Sequence, residues 1–138
     1  RRIMESFQSE LRSRSYSAVI VRLSESDVFS EVKGPKMLNL LRQVVFRLHQ
    51  LVVLQKIEAN DDPEEILAYA REYLITDSVE GRKEVDRVLI QLLEENSAES
   101  NQEIVSKVGS DLMEFLSIYF NVDRESRLEY LLKLHTSL

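Results

Sequence analysis

The sequence predicts an all-α fold, and three observations carry that prediction. Its 138 residues hold only three Gly and two Pro, far fewer turn formers than a sandwich of short strands requires. Apolar residues recur at three- and four-residue spacing along most of the chain, not at alternate positions. The few breakers fall between those periodic stretches. Gly34-Pro35, Asp61-Asp62-Pro63, Gly81 and the polar run Asn96 to Asn101 divide the chain into about seven helices. Short links between successive amphipathic helices make neighbours antiparallel, so the expected architecture is one helical domain, 1–138, of stacked hairpins or a compact bundle. A chain of this length can bury roughly 70% of its unfolded surface, enough for a real core.

Ile3, Phe7 and Leu11 place the first helix at four-residue spacing. Tyr16 to Leu23 forms the second; Ala18-Val19-Ile20-Val21 is β-branched enough for a strand, but a lone strand would have no sheet partner. The third, about Lys36 to Ile57, is the longest. Met37, Leu41, Val44, Val45, Leu48, Leu51, Val52 and Ile57 fill one broad face, and Leu38, Leu40, Phe46, Val53 and Leu54 extend it most of the way round. A helix this apolar must be covered on several sides, so it is expected at the centre. For the fourth, Asp62 is the N-cap, Pro63 suits the first turn and Glu65 is placed to close a capping box; Ile66, Leu67, Ala70, Tyr73 and Leu74 give its face. The fifth is expected to start near Asp77 or Ser78, with Glu80 in a second box, and to bury Val85, Val88, Leu89, Leu92 and Leu93. The sixth runs from about Gln102 to Asn121 on Ile104, Val105, Val108, Leu112, Phe115, Leu116, Tyr119 and Phe120, with Gly109-Ser110 as a point of bending. Asp123 caps the seventh, where Leu128, Leu131, Leu132 and His135 share a side.

Catalytic chemistry is not visible. No Cys is present, which removes disulfides, thiolate zinc sites and thiol nucleophiles and fits a reducing compartment, cytoplasmic or nuclear. His49 and His135 are preceded three residues earlier by Phe46 and Leu132, not by the Glu of a di-iron bundle. The acidic group Glu58, Asp61, Asp62, Glu64 and Glu65 lacks the spacing and central Gly of a calcium loop and reads as a solvated turn at a helix start. His49 reads as a satisfied or edge histidine. No catalytic, cofactor or metal residues are therefore assigned, and the chain is read as a non-enzyme. No uninterrupted apolar run approaches a membrane span and nothing resembles a signal peptide, so no membrane is expected as partner. Beginning at Arg1-Arg2-Ile3, the chain reads as part of a longer protein.

Charge and aromatic content point to protein partners. The first 22 residues carry five Arg against two Glu, net +3, which leaves −9 on the rest of a chain of net charge −6. An acidic body repels phosphates, so nucleic acid is not an expected partner. Ser13 and Ser15 alternate with Arg12 and Arg14, where phosphorylation would invert the local charge. Phe115, Tyr73 and Phe120 are expected in the core. Tyr119 and Tyr130 are expected half-exposed and, with Tyr69, are the candidate partner-binding residues.

The run Glu65-Ile66-Leu67-Ala68-Tyr69-Ala70-Arg71-Glu72-Tyr73-Leu74 resembles the A-L-x-Y-A-R-x-x-L helix of the CTLH domain, the module that follows LisH motifs. Phe46-Arg47-Leu48 resembles the F-x-L that opens that family's long helix, and Glu84 to Leu93 is similar to the helix that starts its CRA region. Residues 1–76 would then be the CTLH-like part and 77–138 the CRA-like part. Gln50 stands one position earlier than the family's Gln, and Glu94-Glu95-Asn96 replaces its Phe and Pro. The resemblance implies a non-catalytic scaffold that self-associates or binds sister subunits, as in CTLH-type ubiquitin ligases and Topless-like corepressors, and accepts a partner helix or peptide on one helical face. The alternative is a monomeric helical-repeat, peptide-docking or regulatory domain of a nuclear or cytoskeletal protein.

Overall fold

The structure, a computed structural model, describes residues 2–25, 34–74 and 81–136, with the side chains of 81–86 and 88 outside that description. Among the described residues there are seven helices and no strand: α1 Arg2–Arg12, α2 Tyr16–Glu25, α3 Pro35–Glu58, α4 Pro63–Tyr73, α5 Gly81–Glu95, α6 Ala98–Tyr119 and α7 Arg124–Thr136. The all-α bundle expected from the sequence is what forms.

Local chemistry sets most boundaries. Gly34, at φ 112, stands at the N-cap of α3 with Pro35 in its first turn. That φ suits glycine and strains other residues. Asn60 and Asn121 take left-handed conformations after α3 and α6, where a short polar side chain tolerates positive φ. Asp62 caps α4 by accepting from the Glu64 N–H at 3.1 Å. Glu65, expected to reach back with its side chain, gives its backbone N–H to the Asp62 carbonyl instead (3.0 Å). The expected start of α5 at Asp77 or Ser78, with Glu80, lies outside the described residues.

The start of α6 corrects one expectation. The polar run Asn96 to Asn101 is not a gap: Ser97 Oγ accepts from the Ser100 N–H at 3.0 Å, and α6 starts at Ala98, four residues early. Polar residues that look like a linker serve as a cap and the exposed side of a first turn. Gly109 lies within α6, which is continuous from Ala98 to Tyr119. A Cβ there would overlap Leu134 Cδ2 and come within 3.8 Å of Leu11 Cδ1, so glycine lets α6 approach α1 and α7 closely.

Two helices share the centre. α3 packs on α2, α4 and α6, and α6 packs in addition on α1 and α7. The main cluster joins Met4, Phe7 and Leu11 of α1 to Val19 and Leu23, Val44 and Leu48, Leu112 and Phe115, and Leu134. Fully burying each large side chain contributes about 1.5–3 kcal/mol. A smaller cluster of Val53, Leu54, Ala70, Leu74 and Leu92 seats the α4–α5 hairpin on the C-terminal half of α3. Residues on both sides of position 76 contribute to each cluster.

Polar links fix the packing. Arg22 of α2 reaches back to Glu10 of α1 at 2.7 Å and lies 3.9 Å above the Phe7 ring. Asp111 of α6, only 3% exposed, accepts from Arg47 of α3 at 2.9 Å and from Lys107 at 3.2 Å. The buried Gln8 amide donates to the Tyr130 carbonyl, tying α1 to α7. Because Gln8 meets Tyr130 while Leu11 and Leu134 flank the same Gly109, α1 and α7 run in the same direction. That parallel pair departs from the antiparallel order of chain neighbours.

α3 is also the one helix among the described residues long and apolar enough to cross a membrane by length and composition, with mean hydropathy 1.2 over 18 residues. No uninterrupted apolar run signals this, because Arg42, Gln43, Arg47 and His49 punctuate the helix; averaging over the window does. In the structure Val44, Leu48 and Leu51 to Leu54 are buried by neighbouring helices.

Candidate functional site

The α3–α4 hairpin gathers the chain's ring chemistry. Ala70 and Leu74 bury one side of α4 on α3, which brings Tyr69 and Tyr73 to His49. His49 is 7% exposed, its Nδ1 is 2.7 Å from the Tyr69 hydroxyl, and its ring stacks on Tyr73 with centroids 4.3 Å apart. Lys56 Nζ sits 5.3 Å from the Tyr69 ring centroid. Burial lowers the His49 pKa below its ordinary 6.5. Burial, then the neighbouring Tyr73 and Glu72, raise that of Tyr69 to about 12. A neutral imidazole beside a protonated phenol can share one proton across the 2.7 Å contact, with either Nδ1 or the Tyr69 hydroxyl as donor according to the tautomer. This is a satisfied histidine that seals a helix pair.

The lowered pKa has a consequence for stability. Unfolded, His49 takes up a proton near pH 6.5; folded, it resists, so below that pH the unfolded state binds more protons. Stability from this group is complete above pH 6.5 and falls as the pH drops toward the depressed value, by no more than about 1.4 kcal/mol per pH unit. Urea unfolding at a series of pH values from 7.5 to 5.5 is expected to show this loss, and a His49→Gln variant is expected to flatten it. Equal slopes for the two proteins would exclude His49 as the cause.

The candidate partner-binding residues fall in three different settings. Tyr69 is half-buried within the hairpin just described. Tyr119 is exposed at the end of α6, its ring 6.4 Å from Phe115 and 5.0 Å from Phe120. Tyr130 is corrected: it is 7% exposed and belongs to the main core. The reason is the face that α7 buries. Close approach of Leu134 to Gly109 turns Tyr130 and Leu134 inward and leaves Leu128, Leu132 and His135 outside, against the expected grouping of Leu128, Leu131, Leu132 and His135.

Other core expectations shift as well. Phe115 is fully buried as expected, but Tyr73 is 41% and Phe120 40% exposed, since Tyr73 lies over His49 at the hairpin edge and Phe120 follows the last turn of α6. Leu92 is buried and Leu89 partly so, whereas Leu93 is exposed beside Ile90, because α5 packs on α4 alone among its larger contacts. Val85 and Val88 have side chains outside the described set. The exposed Ile118, at 57%, was hidden in the sequence by the apolar run around it.

A groove of roughly 670 Å³ opens between the α1–α2 turn, the end of α3 and the start of α6. Arg14, with φ 61, turns the chain there; its guanidinium meets Glu58 of α3 at 2.7 Å and its carbonyl accepts from Gln55 at 2.8 Å. The hydrogen bond that Arg14 donates to Glu58 outweighs burial and raises the Arg14 pKa. Among the described residues no group of three or more His, Asp or Glu is arranged to hold a metal ion.

No family model, curated protein or solved structure matches the chain. What its surface can do follows from its own residues: apolar side chains held outside a packed bundle, and a groove with an apolar floor, polar walls and Arg12 and Arg14 at its rim.

Proposed function

We propose that the chain is a non-catalytic protein–protein interaction and self-association domain of CTLH/CRA-like type, part of a scaffold or adaptor such as a ubiquitin ligase or corepressor. The observation that carries the reading is the exposed run Ile118, Tyr119 and Phe120 at the end of α6, accompanied by Leu128 and Leu132 on the outer side of α7. Scattered exposed apolar residues are ordinary, but five on one hairpin suit a surface that is covered by a partner. The helix order supports the family reading, with the Tyr69-Ala70 and Leu74 positions of the motif serving to seat α4 on α3.

Sedimentation velocity over a wide concentration range tests it. The expected result is a concentration-dependent dimer, and Ile118→Glu is expected to weaken association at least tenfold, since it sets a charge in an apolar contact. A strict monomer at high concentration counts against self-association. The second reading, a monomeric peptide-docking domain, is favoured by the groove at the α1–α2 turn.

A further inference from the structure

Most of this acidic molecule repels anions, yet one groove has cations at its mouth. Arg12 and Arg14 stand on either side of the α1–α2 turn, both exposed, on a chain of net charge −6. Arg14 already holds one carboxylate, that of Glu58, and this pair is more than half exposed on both sides. Arg12 has no ion-pair partner among the described residues. The floor beneath them is apolar: Tyr16, Leu51, Leu54 and Val105 are all buried core residues that line the groove. Its walls carry the amides of Gln55, Asn96 and Gln102. At the far wall α6 begins, and its first two backbone N–H groups, those of Ala98 and Glu99, have no partner within the helix.

From this combination we infer that the groove binds an extended peptide in which carboxylates alternate with apolar side chains. The inference rests on the reading of the chain as a protein-interaction domain and names one of its sites. Each part has a defined task. Gln55 Nε2 already donates to the Arg14 carbonyl and Asn96 Oδ1 accepts from Asn101, so Gln55 Oε1, Asn96 Nδ2 and the Gln102 amide are what meet the N–H and C=O groups of an extended backbone, which must find partners when water is displaced. An extended strand turns alternate side chains to opposite sides, so every second residue can reach the apolar floor. The intervening carboxylates face the rim, where they accept charge-assisted hydrogen bonds from the guanidinium groups. Glu58 is a built-in competitor for Arg14. An incoming carboxylate exchanges one ion pair for another at that residue and gains a new one at Arg12. Electrostatic complementarity of this kind selects among partners and speeds encounter more than it adds affinity.

The probe is a fluorescein-labelled peptide of about eight residues, alternating Glu and Leu and thus about 26 Å long when extended. Its counterpart has Gln in place of Glu. By fluorescence anisotropy at low salt the acidic peptide is expected to bind, and the neutral one at least tenfold more weakly. Arg12→Gln together with Arg14→Gln is expected to weaken binding of the acidic peptide at least tenfold, while Arg124→Gln, on a distant helix start, leaves it unchanged. Glu58→Gln, which frees Arg14, is expected to strengthen it several-fold. No binding of the acidic peptide, equal binding of the two peptides, indifference to the Arg12 and Arg14 changes, or no gain from Glu58→Gln would each overturn the inference. Sedimentation of the same preparations separates the two readings: a chain that dimerises but ignores the peptide loses this groove and keeps its self-association. A strict monomer that binds the peptide keeps the groove and loses self-association.

Discussion

Arg47→Met is expected to destabilise the protein by about 2–3 kcal/mol, because it leaves the buried Asp111 carboxylate without its main partner. Arg47 bonds Asp111 at 2.9 Å across the α3–α6 interface, and the Asp111 side chain is only 5% exposed. Lys107 remains at 3.2 Å, but it is 56% exposed and lies on the same helix, so it compensates part of the charge without rejoining the two helices. Removing both charges tells a different story. Arg47→Met with Asp111→Leu leaves no buried carboxylate to stabilise, and replacing a buried pair by well-packed apolar residues is often neutral. The double variant is therefore expected to recover most of the loss, which gives a coupling energy of about 2 kcal/mol in a urea-unfolding double-mutant cycle. Additive single effects would show that the pair does not act as one unit.

Gly109→Val is expected to cost about 3 kcal/mol, the upper part of the range for overpacking a filled core. An added Cβ at this site overlaps Leu134 Cδ2, and Leu134 is itself fully buried, so its side chain must shift within a packed core. Alanine poses a finer contest. Gly109→Ala gains about 1 kcal/mol of helix propensity and sets it against the same overlap, so its net effect is small and unfavourable. Shortening the opposing residue resolves the contest: Gly109→Ala with Leu134→Ala is expected to lose clearly less than the sum of the two single changes. Thermal unfolding followed by circular dichroism measures all four proteins. Strict additivity would show that Gly109 is not present for close approach.

Those two sites also mark where the sequence was readable and where it was not. The Asp62-Pro63 start of α4 and the Gly34-Pro35 start of α3 were legible because capping chemistry is local: one side-chain oxygen or one fixed φ decides it. The central place of α3 was legible because its polar stripe is too narrow for a surface helix. The burial of Tyr130 was not. In α7, Leu128, Tyr130, Leu131, Leu132 and Leu134 offer two adjoining apolar faces, and the choice between them is made by a glycine in another helix. The same limit hid the groove. Arg12 and Arg14 stood out in the sequence only as part of a basic start and Gln55 and Gln102 not at all, and only the fold sets the four around one opening. Ser97 was open to detection, since Ser97-Ala98-Glu99-Ser100 places a hydroxyl at capping distance from a later N–H, but the surrounding polar residues masked it.

The tie between Gln8 and Tyr130 joins positions 122 residues apart. During synthesis at 5–20 residues per second, α1 leaves the ribosome roughly 6–24 s before the helix that it grips. Through most of that interval α2 can cover only part of the surface around Met4, Phe7 and Leu11, and the side completed by Leu112 and Phe115 of α6 and then by Leu134 of α7 stays open to solvent or to a chaperone. Emergence of α7 is thus the event that closes the main core, and a nascent chain stalled before it presents an apolar face that the finished protein conceals.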